Sequence, residues 1–350
     1  MMPGQTTVAE VKRGGDGANR IIMLDYLRGL SALAVAWFHL TGQYYGSWVL
    51  QTGHYGRFGV ECFFVISGFV IPFSMYRCKM LGPGEYLRFI ARRLVRIEIP
   101  FAVNLGLVIL LWYASSLAPN YHGEPFRIAA GQTVLNLVYL IPFTGYDWFN
   151  PVYWTLAYEF AFYLALGLLF EKAIRREEVL PWLVAVGCLL AAIAYGLLTY
   201  YFALFAMGVA VFRGAVNRDS NFWTISVIAA SLSVMIWKGG ASEGLAGALT
   251  AAAIRFLSDA SLPNWWAGGL GWLGKISYSL YLIHAPIGGR VVNFGMRFIH
   301  SDVGHLALSL VALGASLSVA WLFWKLVERP CHELARSIPQ QSPAGLLATQ

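Results

Sequence analysis

Two ionisable side chains stand in an otherwise apolar stretch near the start of the chain, LDYLRGLSALAVAWFHL at 24–40. Arg28 and His39 are eleven positions apart, a step that turns an α-helix through about 1100°, close to three full turns. They are therefore predicted to share one helix face. Ionisable residues in an apolar span usually face a bundle interior or a water-filled cavity, where they bind substrates or move protons. Alternatively, Arg28 pairs with Asp25 and His39 sits at an interface, and the spacing favours neither interpretation.

A third ionisable group, Glu159, lies in the apolar stretch PVYWTLAYEFAFYL at 151–164. Helical rise places it about 7 Å deeper than Trp154, near the start of the same stretch. A buried carboxylate needs a partner, and His39 at a similar depth is the predicted one. Trp154 by itself is better explained by the aromatic belt that tryptophans form at membrane interfaces.

Further polar side chains occur in the apolar stretches at 275–288 and 58–72. Tyr281 and His284 are neighbours on one helix face in KISYSLYLIHAPIG, where they form a polar stripe. Interfacial anchoring is the ordinary explanation for tyrosine, while His284 is equally open to a functional role. Ser67 precedes a glycine in FGVECFFVISGFVIP. Such pairs ordinarily permit close helix packing, and a hydroxyl that faces a site is the alternative.

Four arginines cluster in YLRFIARRLVRIEIPF at 86–101. Arg92 and Arg96 fall on one helix face, with Arg88 and Arg93 beside them. Guanidinium groups bind phosphate oxygens well because they present paired donors in a fixed geometry. The alternative explanation for an isolated cluster of this kind is that its arginines set the membrane topology and bind anionic lipid headgroups.

The elements that must position these residues follow from composition. Of 350 residues, 58% are hydrophobic and only 12% are charged, about half the charge density of a soluble domain. Apolar stretches of roughly 20 residues, the length that crosses a hydrocarbon core, recur along the chain. The sequence therefore predicts an all-α, polytopic transmembrane bundle of about ten helices. The predicted spans are 21–41, 56–76, 97–117, 152–171, 179–197, 199–213, 222–237, 244–260, 270–291 and 304–326.

The distribution of charge predicts the orientation of these spans. Lys and Arg concentrate in the connections on the side of the N-terminus, so both termini are predicted to be cytoplasmic. The net charge of +7 is therefore explained by topology and membrane lipids rather than by nucleic acid. Between the third and fourth spans, the weaker apolar piece 128–143 predicts a re-entrant or interfacial helix. Residues 1–20 and 331–350 are predicted to be cytoplasmic tails.

The sequence gives no sign of a metal centre. The histidines outside the spans lack a spacing typical of metal ligands, and neither an HExxH motif nor a pair of CxxC motifs occurs. We therefore expect no metal and no permanently bound cofactor.

Taken in order along the chain, these segments resemble the acyltransferase-3 family of integral membrane acyltransferases, which includes bacterial polysaccharide O-acetyltransferases. The resemblance runs over about 21–330, which is the predicted membrane acyltransferase domain. It rests on Arg28 with His39, FFVISGF at 63–69, RRLVRIEIP at 92–100, WTLAYE at 154–159, ISYSLYLIH at 276–284 and ERP at 328–330.

The resemblance implies transfer of an acyl group, commonly acetyl, from cytoplasmic acyl-CoA to a hydroxyl of a carbohydrate-containing acceptor, at a bacterial inner membrane. Arg28 and His39 are then the expected essential residues, and Arg93, Arg96 and Arg28 are the expected contacts to the donor. The residues expected to bind the acceptor are Trp154, Tyr281, His284 and Ser67.

Two mechanisms follow from that expectation. His39 acts as a general base on the acceptor hydroxyl while Glu159 orients its ring, or His39 is itself acylated before transfer. A different class of protein, a transporter or lipid flippase, would use the same ionisable residues as a proton or substrate path.

Overall fold

The computed structural model describes residues 22–77, 83–119, 123–216, 219–257 and 264–338. All regular secondary structure in these ranges is helical, which confirms the all-α prediction. The predicted tail at 1–20 lies outside them, and of the tail predicted at 331–350 only the part up to Ile338 lies inside.

Helices follow one another along the chain. In chain order they are α1 Ile22–Thr41, α2 Trp48–Gly53, α3 Gly59–Arg77, α4 Pro83–Ser116, α5 Ala130–Leu137, α6 Trp154–Leu169, α7 Val179–Ala194, α8 Tyr201–Val216, α9 Asn221–Lys238, α10 Ala241–Leu257, α11 Asn264–Ile283, α12 Gly289–Gly295, α13 Asp302–Phe323 and α14 Arg329–Ser337. π-helical turns at Phe170–Ile174, His284–Gly288 and Trp324–Glu328 extend α6, join α11 to α12 and join α13 to α14. Such turns are rare and often occur at functional sites.

Several of these segments have the length and composition of a membrane span. Within the described ranges, the four that can cross a membrane by both criteria are Trp48–Arg77, Gly84–Ser116, Asn221–Lys238 and Asp302–Ser337. Val179–Ala194 and Tyr201–Val216 are shorter apolar helices. The figure of about ten crossings and the cytoplasmic position of both termini stay predictions.

The helix that carries the arginine cluster is longer than predicted. α4 has 34 residues and joins the cationic run to the span predicted at 97–117. Pro100, near the start of the span predicted at 97–117, lies inside this helix. Proline is favoured in the first turn of a helix, because the backbone N–H that it lacks would have no intrahelical acceptor there. Here the helix continues on both sides of Pro100.

The weak apolar piece 128–143 contains α5, a helix of eight residues, and the 3₁₀ turn Ile141–Phe143. Eight residues rise only about 12 Å, too little to cross a hydrocarbon core of about 30 Å. Asn136 is buried, and its side-chain oxygen accepts a hydrogen bond from the backbone N–H of Phe149 at 3.2 Å. Asn136 thus fixes the connection to α6. The same polar side chain makes the piece 128–143 a poor membrane span.

The chain forms two compact units. The first contains residues up to 30, 61–77 and 164–275, and the second contains 31–60, 78–163 and the residues from 276 onward. Helices α7 to α10 therefore belong to the first unit, and α5 and α12 to α14 belong to the second.

In the first unit, glycines let α3 and α8 pack backbone against backbone. A Cβ atom added to Gly68 would lie 2.3 Å from the carbonyl oxygen of Phe205. One added to Gly208 would lie 2.1 Å from the carbonyl oxygen of Val65. Both distances are shorter than a van der Waals contact, so the two helices approach this closely only because both residues are glycine.

A buried arginine closes the end of α6 in the same unit. Arg213, in the last turn of α8, is fully buried and donates to both carboxylate oxygens of Asp219, at 2.7 and 3.0 Å. Its guanidinium also donates to the carbonyl oxygens of Ala173, Ile174 and Arg176, at 2.9, 2.7 and 2.9 Å. The last carbonyls of a helix have no intrahelical donor, so Arg213 supplies donors that the π turn lacks.

Candidate active site

Two histidines predicted to be functional meet in the second unit. His39 lies in the last turn of α1, and His284 begins the π turn after α11. Nε2 of His284 is 3.1 Å from Nδ1 of His39, across 245 positions of sequence. The ring centroids are 5.1 Å apart and the ring planes are inclined by 40°. His284 is fully buried, whereas His39 is partly exposed.

The backbone of each segment also holds its own ring. Nδ1 of His39 lies 3.0 Å from the carbonyl oxygen of Val35, one turn earlier in α1. Nδ1 of His284 lies 3.0 Å from the carbonyl oxygen of Leu280, one turn earlier in α11. Pro286 lies within the π turn and has no N–H, so it interrupts the helical ladder where the turn widens.

Gly288 lets the π turn approach the end of α1. A Cβ atom at this position would lie 2.5 Å from Cδ2 of Leu40 and 2.5 Å from Oγ of Ser316. Leu40 directly follows His39, so a larger residue at 288 would displace the side chain next to that histidine.

The start of α6 is tied to α11 one turn before the histidine pair. The hydroxyl of Tyr281 donates to the carbonyl oxygen of Val152 at 3.1 Å and lies 2.7 Å from Oγ1 of Thr155. Tyr281 is buried, whereas Trp154 between these two partners is partly exposed. The WTLAYE segment is therefore held beside His284, and within it the rings of Trp154 and Tyr158 are partly exposed.

Glu159 has a different hydrogen-bond partner from the predicted one. Its carboxylate accepts a hydrogen bond from the hydroxyl of Tyr163, one turn later in α6. The ring of His39 bonds to the carbonyl of Val35 and to His284. Of the two residues, His284 is the one whose ring nitrogen lies within hydrogen-bond distance of His39. Helical rise estimates how deep a residue lies but not which neighbour its side chain faces, and the catalytic role of Glu159 stays a prediction.

A second carboxylate, Glu98 of α4, was not singled out from the sequence. It accepts a hydrogen bond from the hydroxyl of Tyr139 at 2.9 Å. The hydroxyl of Tyr278 donates to the carbonyl oxygen of the neighbouring residue, Ile97, at 2.9 Å. The sequence offered one signal for Glu98, an acidic residue at the edge of an apolar stretch. The structure shows that Glu98 belongs to the same unit as the two histidines.

Arg93 of α4 lies over aromatic rings. Its guanidinium carbon is 5.0 Å from the ring centroid of Tyr163 and 5.9 Å from that of Phe89. Its Nε is buried and has no hydrogen-bond acceptor among the described residues. Leaving a buried donor without an acceptor costs about 1–3 kcal/mol, so this position favours an incoming anionic acceptor.

Arg96 is held by a residue that the sequence interpretation missed. Its Nε donates to Nε2 of His332 in α14 at 2.9 Å. Oε1 of Glu328 lies 3.5 Å from Nε2 of His332. Oε2 of Glu328 accepts a hydrogen bond from the hydroxyl of Ser279 at 2.5 Å. These contacts join the arginine cluster of α4, the ERP segment and α11 in one polar chain.

The other predicted site residues, Arg28 and Ser67, belong to the first unit. Arg28 precedes Gly29, where an added Cβ atom would lie 2.8 Å from the backbone nitrogen of Gly274. Ser67 precedes Gly68 at the close contact of α3 with α8. Both therefore lie beside tight helix contacts, and their functional roles stay predictions.

Comparison with known proteins identifies the family. Residues 21–325 match the model of the acyltransferase-3 family, described as an acyltransferase domain. Nodulation protein 10 of Rhizobium leguminosarum bv. viciae is 24% identical over 338 residues, which cover 86% of this chain and 89% of that protein. BcsY of Komagataeibacter xylinus, named as a candidate membrane-bound transacylase, is 27% identical over 340 residues, 89% of this chain and 83% of that one. Acyltransferase MdmB of Streptomyces mycarofaciens is 26% identical over an alignment of 372 positions, which covers 90% of this chain and 93% of that one.

No significant match to a solved structure was found. The family match nevertheless covers most of the chain and carries an enzyme class, so the transporter and flippase alternative is set aside. The chain is an integral membrane protein and belongs to the acyltransferase-3 family of membrane-bound acyltransferases.

Proposed function

We propose that this enzyme transfers an acyl group, most simply acetyl, from cytoplasmic acyl-CoA to a hydroxyl of a carbohydrate-containing acceptor such as an exported polysaccharide. The observation that carries the proposal is the contact of His39 with His284, 3.1 Å between ring nitrogens, in a chain of an acyltransferase family. Transfer to a hydroxyl requires a group that takes up its proton, and a neutral histidine does this near neutral pH.

The donor is proposed to bind through the arginines of α4. CoA carries phosphate groups, and the buried Nε of Arg93 is a donor that finds no acceptor in the part of the chain that the structure describes. A phosphate oxygen would satisfy it with a charge-assisted hydrogen bond. Arg96 lies one turn away on the same helix, with its guanidinium fixed by His332. Arg28 is proposed as a further donor contact on the resemblance alone.

In the first mechanism, His39 removes the proton of the acceptor hydroxyl as its oxygen attacks the thioester carbonyl. The tetrahedral intermediate then collapses, the carbon–sulfur bond breaks, and the proton on His39 passes to the departing CoA thiolate. In the second, Nε2 of His39 attacks the thioester carbonyl, the carbon–sulfur bond breaks, and CoA leaves as the thiolate. The acceptor hydroxyl then attacks the acyl-imidazolium, the carbon–nitrogen bond breaks to return His39, and the proton of the hydroxyl passes to the CoA thiolate. Both mechanisms release free CoA and an acyl ester.

The remaining groups are proposed to shape the acceptor side. The partly exposed ring of Trp154 offers an apolar face for a sugar, while Tyr281 holds the start of α6 through Val152 and Thr155. Glu159 supplies a carboxylate in the same unit, engaged by Tyr163. We place the enzyme in a bacterial inner membrane with both termini cytoplasmic, which puts the arginine cluster on the side that contains acyl-CoA.

The test is transfer from labelled acetyl-CoA to cell glycans in membranes that contain the wild-type enzyme or the His39→Ala variant at matched expression. We expect labelled ester and free CoA from the wild type and neither from the variant. His305→Ala is the matched control, because His305 stacks on Tyr44 with ring centroids 4.4 Å apart and makes no hydrogen bond with the proposed pair. Undiminished transfer by His39→Ala would exclude both mechanisms.

A further inference from the structure

We propose that His284 is a positioning residue that fixes the proton of His39 on Nδ1 and so leaves Nε2 of His39 unprotonated and available for reaction. The inference rests on the proposed function, since it assumes that His39 is the reacting group. It changes the expected role of His284 from acceptor binding to control of a tautomer.

The tautomer of His284 follows from its own helix. Nδ1 lies 3.0 Å from the carbonyl oxygen of Leu280, and a carbonyl oxygen only accepts hydrogen bonds, so Nδ1 carries the proton. A neutral imidazole has one N–H, and its other nitrogen is an acceptor. Nε2 of His284 therefore presents a lone pair, and it does so toward Nδ1 of His39.

The tautomer of His39 then follows from both of its neighbours. Nδ1 lies 3.0 Å from the carbonyl oxygen of Val35 and 3.1 Å from Nε2 of His284. Both neighbours are acceptors, so Nδ1 must be the donor and shares its proton between them. With the proton on Nε2 instead, three lone pairs would face one another at hydrogen-bond distance. The two rings and two carbonyls thus allow a single arrangement of protons.

This arrangement suits both proposed mechanisms. The lone pair of His39 is on Nε2, the nitrogen that no described residue engages. When Nε2 takes up a proton or an acyl group, the ring becomes cationic, and the two acceptors at Nδ1 stabilise that cation. His284 does for this histidine what a carboxylate does in a serine hydrolase, without a negative charge in the apolar bundle.

The burial of His284 supports positioning rather than acceptor binding. Its side chain is fully buried, and its ring centroid lies 5.9 Å from that of the buried Tyr281. The π turn that carries it packs against α1 at Gly288. A group so enclosed is held in one orientation, whereas the partly exposed ring of His39 is accessible.

The experiment uses the purified full-length enzyme in lipid nanodiscs, uniformly labelled with ¹⁵N-histidine. Nitrogen chemical shifts distinguish protonated from unprotonated ring nitrogens, and the spectrum of His39→Ala assigns the signals of His39. We expect an unprotonated Nε2 and a protonated Nδ1 at His39 in the wild type. A protonated Nε2 would overturn the proposal. Because no substrate is present, this result is independent of whether acetyl-CoA and a glycan are the true substrates.

Two substitutions extend the test to catalysis. His284→Gln places an amide oxygen near the position of Nε2 and keeps an acceptor, whereas His284→Leu keeps volume without one. We expect kcat of the Leu variant to fall about 10- to 100-fold, part of the factor that general base catalysis supplies, with KM for donor and acceptor within about twofold. We expect the Gln variant to recover much of kcat. An increased KM for the acceptor with unchanged kcat in the Leu variant would contradict positioning.

Discussion

Nε of Arg96 donates a hydrogen bond to Nε2 of His332 at 2.9 Å, although the two residues are 236 positions apart. This hydrogen bond holds the Nε edge of the guanidinium and fixes the plane of the group. The last helix of the described chain, α14, therefore holds one arginine of the cluster in α4.

Replacing His332 by Leu is expected to weaken acyl-CoA binding about tenfold, with little change in kcat. A hydrogen bond to a charged group contributes about 1.5–3 kcal/mol, and about 1.4 kcal/mol corresponds to a factor of ten in Kd. Titration of the purified variant with CoA measures the effect. Glu333→Gln is the control, since Glu333 and its partner Arg329 are largely exposed. Equal affinity in His332→Leu and wild type would show that the hydrogen bond between His332 and Arg96 does not support donor binding.

Arg93→Gln is expected to reduce CoA affinity more than Arg93→Lys, and both more than the exposed control Arg329→Lys. Glutamine removes the charge, whereas lysine keeps a charge but loses the planar group that lies 5.0 Å from the ring centroid of Tyr163. The expected loss for lysine is about tenfold. The measurement is CoA binding in nanodiscs of zwitterionic lipid. Unchanged CoA affinity in Arg93→Gln would instead favour an anionic lipid as the partner of the cluster.

The sequence was sufficient to propose His39 and His284 as candidate site residues, because ionisable groups are costly inside an apolar span. His39 and His284 are ionisable groups in apolar stretches, and the spacing of each stretch predicts a helix. Their mutual contact was not predictable, since periodicity gives the face of a helix but not which distant helix packs against it. Glu159 shows the same limit: its predicted partner His39 had a similar depth, yet Tyr163 of its own helix bonds to it.

Arg213 shows a second limit of interpretation from sequence. An arginine near the end of an apolar helix is typical of a topological charge at the membrane surface. In the structure it is fully buried, because the π turn at Phe170–Ile174 leaves carbonyl oxygens that need donors. π turns have no reliable sequence signal, so neither the turn nor the role of the arginine could be predicted.

Gly68→Ala is expected to destabilise the enzyme by about 1–3 kcal/mol, the usual cost of overpacking. The new Cβ atom would lie 2.3 Å from the carbonyl oxygen of Phe205, a backbone atom that moves only if α3 and α8 separate. Thermal unfolding in detergent measures the change. Gly106→Ala in α4 is the matched control, because a Cβ atom there meets nothing within 4 Å. An equal midpoint in both variants would contradict the close approach of α3 and α8.

Arg213→Leu is expected to cost about 3–5 kcal/mol of stability, because it leaves the buried carboxylate of Asp219 without its partner. The double variant Arg213→Leu with Asp219→Leu removes both charges and is expected to recover part of that loss, although the carbonyls of Ala173 and Ile174 stay without a donor. Arg255→Leu, an exposed arginine of the same unit, is the control. Since Arg213 lies outside the proposed site, the folded fraction of each variant should keep the KM of the wild type. A changed KM at normal stability would mean that Arg213 acts on a substrate and not on the fold.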